Sequence, residues 1–165
     1  IKKYPPTTLL EKMRAAVRTG LLGYTLTFSN NHPTPSPPLK PTVVLLEVRS
    51  AAINPVDYKL PRAAFGPVYG LDVSGVIKSI TGGPSSSGLK VGDEVFGRAS
   101  SGSLAEYALA STAELAPKPD FLSHDEAAAL ATAYLTGLQS LRDAGRVTKG
   151  SSVLVIGASG GCGLA

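Results

Sequence analysis

Short apolar runs separated by turn residues dominate the first two thirds of this chain. "TVVLLEVRSAAI", residues 42–53, predicts a strand, with Val44, Leu46 and Val48 on one face and Glu47 and Arg49 on the other. "MRAAVRTG", 13–20, predicts a shorter strand and turn. "YGLDVSGVIKSI", 69–80, predicts another, with Gly75 letting a second backbone pass close. "DEVFG", "SLAEYALAS" at 103–111 and "AELAPKP" at 113–119 complete a β-rich stretch. "NNHPTPSPPLKP", 31–42, reads as a proline-rich surface connector, with a polyproline ligand as the alternative.

The periodicity changes near residue 120. "LSHDEAAALATAYLTGLQSLRDAG" is helical, opened by a Ser123/Glu126 capping box and closed at Gly145. "GSSVLVIG" then predicts an apolar strand of the kind buried on both faces of a parallel sheet. The organisation expected is therefore 1–120 as a β-rich unit, 121–150 as a helical connection and 151–165 as the start of an α/β unit.

Composition narrows the class. Hydrophobic residues make up 43% and charged residues 17% of 165 positions, a globular balance. The net charge of +4 is scattered, so no nucleic-acid partner is expected. A single cysteine, Cys162, excludes an internal disulfide and fits a reducing compartment. No apolar run approaches the roughly 18 residues of a membrane helix. The start of the chain lacks a secretory apolar region. A cytoplasmic location is expected, with an organellar leader removed upstream as the alternative.

Chemistry concentrates in two places. Gly157, Gly160, Gly161 and Gly163 directly follow the predicted apolar strand. Glycines there let backbone amides approach a pyrophosphate. The spacing is G-x-x-G-x-x-G, one residue longer than the dinucleotide fingerprint, and an ordinary glycine turn is the competing reading. "NPVDYKL", 54–60, places Asn54, Asp57, Tyr58 and Lys59 at a strand end, where loops build sites. Pro55 holds Asn54 extended, Asp57 can cap one helical turn and Pro61 ends it. A strand terminator is the plainer reading of this cluster.

Other motifs fail. "GPSSSGLK", 83–90, misses a phosphate-binding loop because Leu89 separates Gly88 from Lys90, and it reads as a hairpin loop. His32, His124 and Cys162 lack zinc spacing, so no metal is expected and the histidines read as surface or capping residues. Cys162 has no histidine nearby in sequence to activate it. No Gly-x-Ser-x-Gly elbow supports a serine hydrolase.

Six stretches in order, "AAINPVDYK", "YGLDVSGVI", "VGDEVFG", "GSLAEYALAS", "LAPKPDFLSHDEAAALATAYLTGLQSL" and "VLVIGASGGCG", resemble the medium-chain dehydrogenase/reductase superfamily, most of all its zinc-free quinone oxidoreductase and alkenal reductase branch. The resemblance implies a mainly β fold. A chaperonin-10-like (GroES-like) barrel would be followed by a helical connection and only the first strand and glycine loop of a Rossmann α/β domain. It implies hydride transfer from NADPH, with NADH as the alternative, to a small-molecule quinone or α,β-unsaturated carbonyl, and a possible homo-oligomer. Asn54 matches a family asparagine beside the nicotinamide, and Thr136 a nearby threonine. Tyr58 and Lys59 match candidate donors to cofactor ribose or substrate, so Asn54, Tyr58 and Lys59 are the catalytic candidates. Asn54, Lys59, Thr136, Gly157, Gly160 and Gly163 are the cofactor candidates. Leu71 stands where zinc-dependent members carry a histidine ligand. The family's remaining nucleotide-binding strands and barrel-completing segment would follow residue 165, so an N-terminal piece, inactive alone, is expected. A non-catalytic binding or structural module is the alternative.

Overall fold

The computed structural model describes residues 11–20, 25–36, 42–59, 66–80 and 88–165. Residues 37–41 of the proline-rich connector, the Pro61 stop and most of the 83–90 loop lie outside those residues.

Among the described residues, seven strands and four short α-helices follow in chain order. They are β1 (Lys12–Thr19), β2 (Thr25–Pro33), β3 (Val43–Ala52), α1 (Pro55–Lys59), β4 (Asp72–Ile80), β5 (Glu94–Arg98), β6 (Tyr107–Ser111), β7 (Leu115–Pro117), α2 (His124–Ala128), α3 (Ala131–Gln139) and α4 (Gly161–Leu164). The fold is mainly β. β3 to β7 form one antiparallel sheet in the order β6-β3-β4-β5-β7, and β1 and β2 form a separate antiparallel pair.

The apolar side chains of the central strands build the core. Val44, Leu46, Val73, Ile77, Val95, Ala108 and Ala110 pack together, with Leu89 and Ala99 alongside. β3 and β4 run close enough that a Cβ on Gly75 would collide with the Glu47 carbonyl oxygen, so this crossing requires glycine. β1 closes the body through hydrogen bonds to two loops: Ala16 N–H to Leu104 O (2.8 Å), and Tyr69 N–H to Ala16 O (2.9 Å). A second cluster of Met13, Ala15 and Val68 fills the seam.

α2 packs against β3, β4 and β5. Its capping box is complete: Glu126 N–H donates to Ser123 Oγ (3.2 Å), and Ser123 N–H donates to Glu126 Oε2 (2.8 Å). The Ser123 N–H and then the Ser123 hydroxyl, both donating to Oε2, hold the Glu126 carboxyl below its ordinary pKa. His124 is half-buried and ties the helix to the sheet. Its Nδ1 lies 2.8 Å from Ser74 Oγ and its Nε2 3.5 Å from Glu94 Oε1.

Two expectations change. β2 continues through Asn31 to His32 and Pro33, the last two pairing with the start of β1, so the connector begins later. Pro33 is accommodated because it ends the strand, where a missing N–H costs no ladder bond. Gly145 closes the helical run, as expected, with φ −78, and the left-handed residue is Arg146 at φ 49. The last turn widens so that Gly145 N–H reaches Ser140 O (2.8 Å), which moves the reversal one residue along. Residues 151–155 join no sheet among the described residues, and Val153, Leu154, Val155 and Ile156 are exposed. An apolar sequence creates the demand for neighbouring strands, and among the described residues none lies beside this one.

Candidate functional site

β3 delivers Asn54 to the edge of the body, and Pro55 starts α1 immediately after it. The turn locks itself: Asn54 N–H donates to Asp57 Oδ2 (2.7 Å) while Asp57 N–H donates to Asn54 O (2.9 Å). Asp57 is fully buried, and its other oxygen, Oδ1, has no hydrogen-bond partner among the described residues. Burial is the largest influence on this carboxyl and pushes its pKa above the ordinary value, and Asp72 adds to the rise. The Asn54 backbone bond and the cations Arg18 and Arg98 pull it down without cancelling that rise. Tyr58 and Lys59, next on α1, are exposed.

The carboxamide of Asn54 points the other way. Its Nδ2 donates to Asp72 Oδ2 (3.0 Å) at the first residue of β4. Asp72 is also fully buried and receives two donors from α3: Thr132 N–H to Oδ2 (2.9 Å) and Thr132 Oγ1–H to Oδ1 (2.6 Å). Thr136 lies one helical turn beyond Thr132. A cleft of about 310 Å³ runs between the two elements, lined by Val56, Leu71, Arg98, Thr132, Thr136 and Gln139 among others.

The glycine loop lies on the other side of α3. Gly157 has φ +77 with open space where a Cβ would stand. Gly160 precedes α4 and its N–H donates to Gly157 O (3.0 Å). α4 packs on α3 beside Gly137, where an added Cβ would sit 3.5 Å from Cys162 O. The loop thus approaches the helix that carries Thr136. Between them an apolar groove of about 780 Å³ is lined by Tyr134, Leu138, Leu141, Val153, Val155 and Leu164 among others.

The structure therefore ties Asn54 to Thr132 through Asp72, lines one cleft with Thr132 and Thr136 of α3 and with Val56 of the Asn54 turn, sets Tyr58 and Lys59 on the exposed side of α1, and puts Gly157, Gly160 and Gly163 across α3. Asp72, Thr132 and Arg98 were not singled out as site residues by the sequence. One signal was available for Asp72: a carboxylate inside "GLDVSGV" is costly in a buried strand unless donors meet it. Among the described residues, no group of three His, Cys, Asp or Glu side chains is placed to hold a metal ion. No helix among them is long and apolar enough to cross a membrane.

A family model described as the alcohol dehydrogenase GroES-like domain matches residues 40–120, the stretch that holds both Asn54 and Asp72. A quinone oxidoreductase of Mus musculus is 40% identical over 129 residues, covering 74% of this chain and 38% of that protein. A 2-methylene-furan-3-one reductase of Solanum lycopersicum is 39% identical over 143 residues, covering 77% of this chain and 36% of that protein. A mycobacterial protein solved in complex with NADPH superposes with a TM-score of 0.78 at 26% identity, over 93% of this chain and 48% of that one. The chain belongs to the medium-chain dehydrogenase/reductase superfamily, in its quinone oxidoreductase and alkenal reductase branch. It spans less than half the length of each of these three proteins.

Proposed function

We propose that the whole protein transfers hydride from NADPH to a quinone or to the β-carbon of an α,β-unsaturated carbonyl compound, without a metal ion. One observation carries this reading: the turn bearing Asn54 and the helix bearing Thr136 enclose one cleft, in a chain similar to a quinone oxidoreductase and to an enone reductase. The residues present fit a dinucleotide. Gly157 leaves open space at a positive φ, and the loop packs on the Thr136 helix.

When bound, reduced nicotinamide supplies the hydride. The chain supplies position and charge. Gly157, Gly160 and Gly163 keep side chains away from the bridging phosphates. Asn54 and Thr136 hold the nicotinamide end in the cleft. Tyr58 and Lys59 offer donors to ribose hydroxyls or to the carbonyl oxygen on which charge develops. Leu71 places a buried apolar side chain where the zinc-dependent relatives have a histidine, so carbonyl polarisation falls to these donors. On this reading residues 1–120 form the substrate-side unit, 121–150 the connection and 151–165 the start of the nucleotide-binding unit.

The test is NADPH oxidation by the whole protein against a panel of quinones and enones, followed by the absorbance of the reduced nicotinamide. Acceptor-dependent consumption is expected. No consumption with any acceptor, together with no NADPH binding by calorimetry, would overturn the reading.

A further inference from the structure

Asn54 is held at both ends by carboxylates from different elements. Asp57, within its own turn, takes the main-chain N–H, and Asp72, across the gap on β4, takes the side-chain amide. Asp72 takes two more donors from Thr132 on α3. A single buried carboxylate thus joins the turn carrying Asn54, Tyr58 and Lys59 to the helix carrying Thr136.

We propose that Asp72 is the positioning residue of this site: it sets which way the Asn54 carboxamide faces and fixes the Asn54 turn against the Thr136 helix. This rests on the reading of the cleft given above.

The orientation follows from donor and acceptor chemistry. A carboxylate oxygen can only accept, so the group 3.0 Å from Asp72 Oδ2 must be the Asn54 NH₂ and not its oxygen. The reversed amide would set two acceptor oxygens against each other in a buried place, where an unmet polar contact is expensive. Asn54 Oδ1 is therefore turned away from Asp72. That oxygen is thereby left for an N–H or O–H donor, such as one on a bound ligand. Registration of the helix follows from the same carboxylate. Thr132 gives it both its N–H and its hydroxyl, a two-point attachment that fixes rotation of α3 as well as distance, and Thr136 shares that face one turn on. A neutral amide at position 72 can keep these contacts, its oxygen accepting the two N–H donors and its NH₂ donating to the Thr132 hydroxyl, which accepts as well as donates. Removing the group altogether, as in Asp72→Ala, leaves all three donors without their acceptor.

The experiment has two arms. In the 165-residue chain labelled with ¹⁵N-asparagine, the Asn54 side-chain NH₂ is followed by NMR and assigned by its loss in Asn54→Ala. We expect shifted, slowly exchanging resonances that move to free-carboxamide positions in Asp72→Ala. In the whole protein, NADPH is the probe. Asp72→Ala is expected to lower kcat by about 10²-fold, as an ångström-scale misplacement does, with a much smaller change in KM for the acceptor. Thr132→Val, which removes one of the three donors, is expected to lower kcat by about threefold to tenfold, and Thr132→Ser to restore it. Unmoved Asn54 resonances in Asp72→Ala, or a kcat unchanged in a folded variant, would overturn the proposal. Should Asp72→Ala not fold, the Thr132 pair decides: equal kcat in Thr132→Val and wild type would overturn it. A wild-type protein that oxidises no NADPH removes the functional reading alone, because the resonance arm still decides whether Asp72 orients Asn54.

Discussion

Val44, Leu45 and Leu46 in β3 and Val153, Leu154, Val155 and Ile156 near the end of the chain are runs of the same chemical type. In β3 all three side chains are fully buried, with β4 on one side and β6 on the other. In the later run Leu154 is 86% and Ile156 90% exposed. The difference lies in the neighbours. β3 finds antiparallel partners within 70 residues on either side, and each buried apolar group also gains a satisfied backbone ladder. The later run has α3 and α4 near one flank and no strand beside it among the described residues. Burial therefore depends on ladder partners that an apolar run cannot supply for itself.

The comparison breaks first at Leu46. Truncating Leu46→Ala leaves a hole between Val44, Val73 and Ala108 in a sheet that cannot close over it, and should cost about 2–5 kcal/mol. Urea unfolding of the 165-residue chain measures it. A loss below about 1 kcal/mol would mean that the sheet collapses around the cavity and that its burial is less rigid than the packing implies.

Much of the sheet was legible because its signal is local. Alternation and β-branched residues mark β3 and β4, Gly75 marks a close crossing, and Ser123 with Glu126 marks the start of α2. Each is settled within a few residues of chain. Asn54 was legible as part of a polar cluster at a strand end, and Thr136 only through family resemblance. Their convergence was not, because it runs through Asp72 and Thr132, which are 60 residues apart. A buried carboxylate has no periodicity, and its partners are chosen by the fold. The start of the proline-rich connector was misplaced for a related reason: Pro33 argues locally against a strand, while pairing with β1 decides in its favour.

A second test separates the two regions by their response to pH. Asp57 lies in the buried half, and its folded pKa is raised above the ordinary 3.8 chiefly by burial. A carboxyl raised on folding favours the folded state below its unfolded pKa, and that contribution is lost as pH rises through the folded value. Asp57→Asn keeps an acceptor for the Asn54 N–H and removes the titration. Its stability relative to wild type should therefore increase from below about pH 4 towards neutrality and then level off. Glu106 and Glu126 are lowered by their hydrogen bonds and act in the opposite sense, losing stabilisation as pH falls. They are common to both chains and drop out of the difference. Thermal unfolding of the pair across this range checks it. A difference that stays flat would mean that Asp57 ionises in the folded chain as it does in the unfolded one.

The smallest effect is expected where the apolar run is exposed. Leu154→Ser and Ile156→Ser in the 165-residue chain should each change stability by no more than about 0.5 kcal/mol, because neither side chain leaves water on folding. The urea midpoint and slope report this directly. The same substitutions carry a second reading, because exposed leucine and isoleucine in a row are an adhesive surface. Each should lower any concentration-dependent scattering while leaving the midpoint in place. Were Leu154→Ser instead to cost as much as Leu46→Ala, residues 153–156 would be packed in solution. The contrast with β3 would then vanish, because both runs would have found the partners their sequence demands.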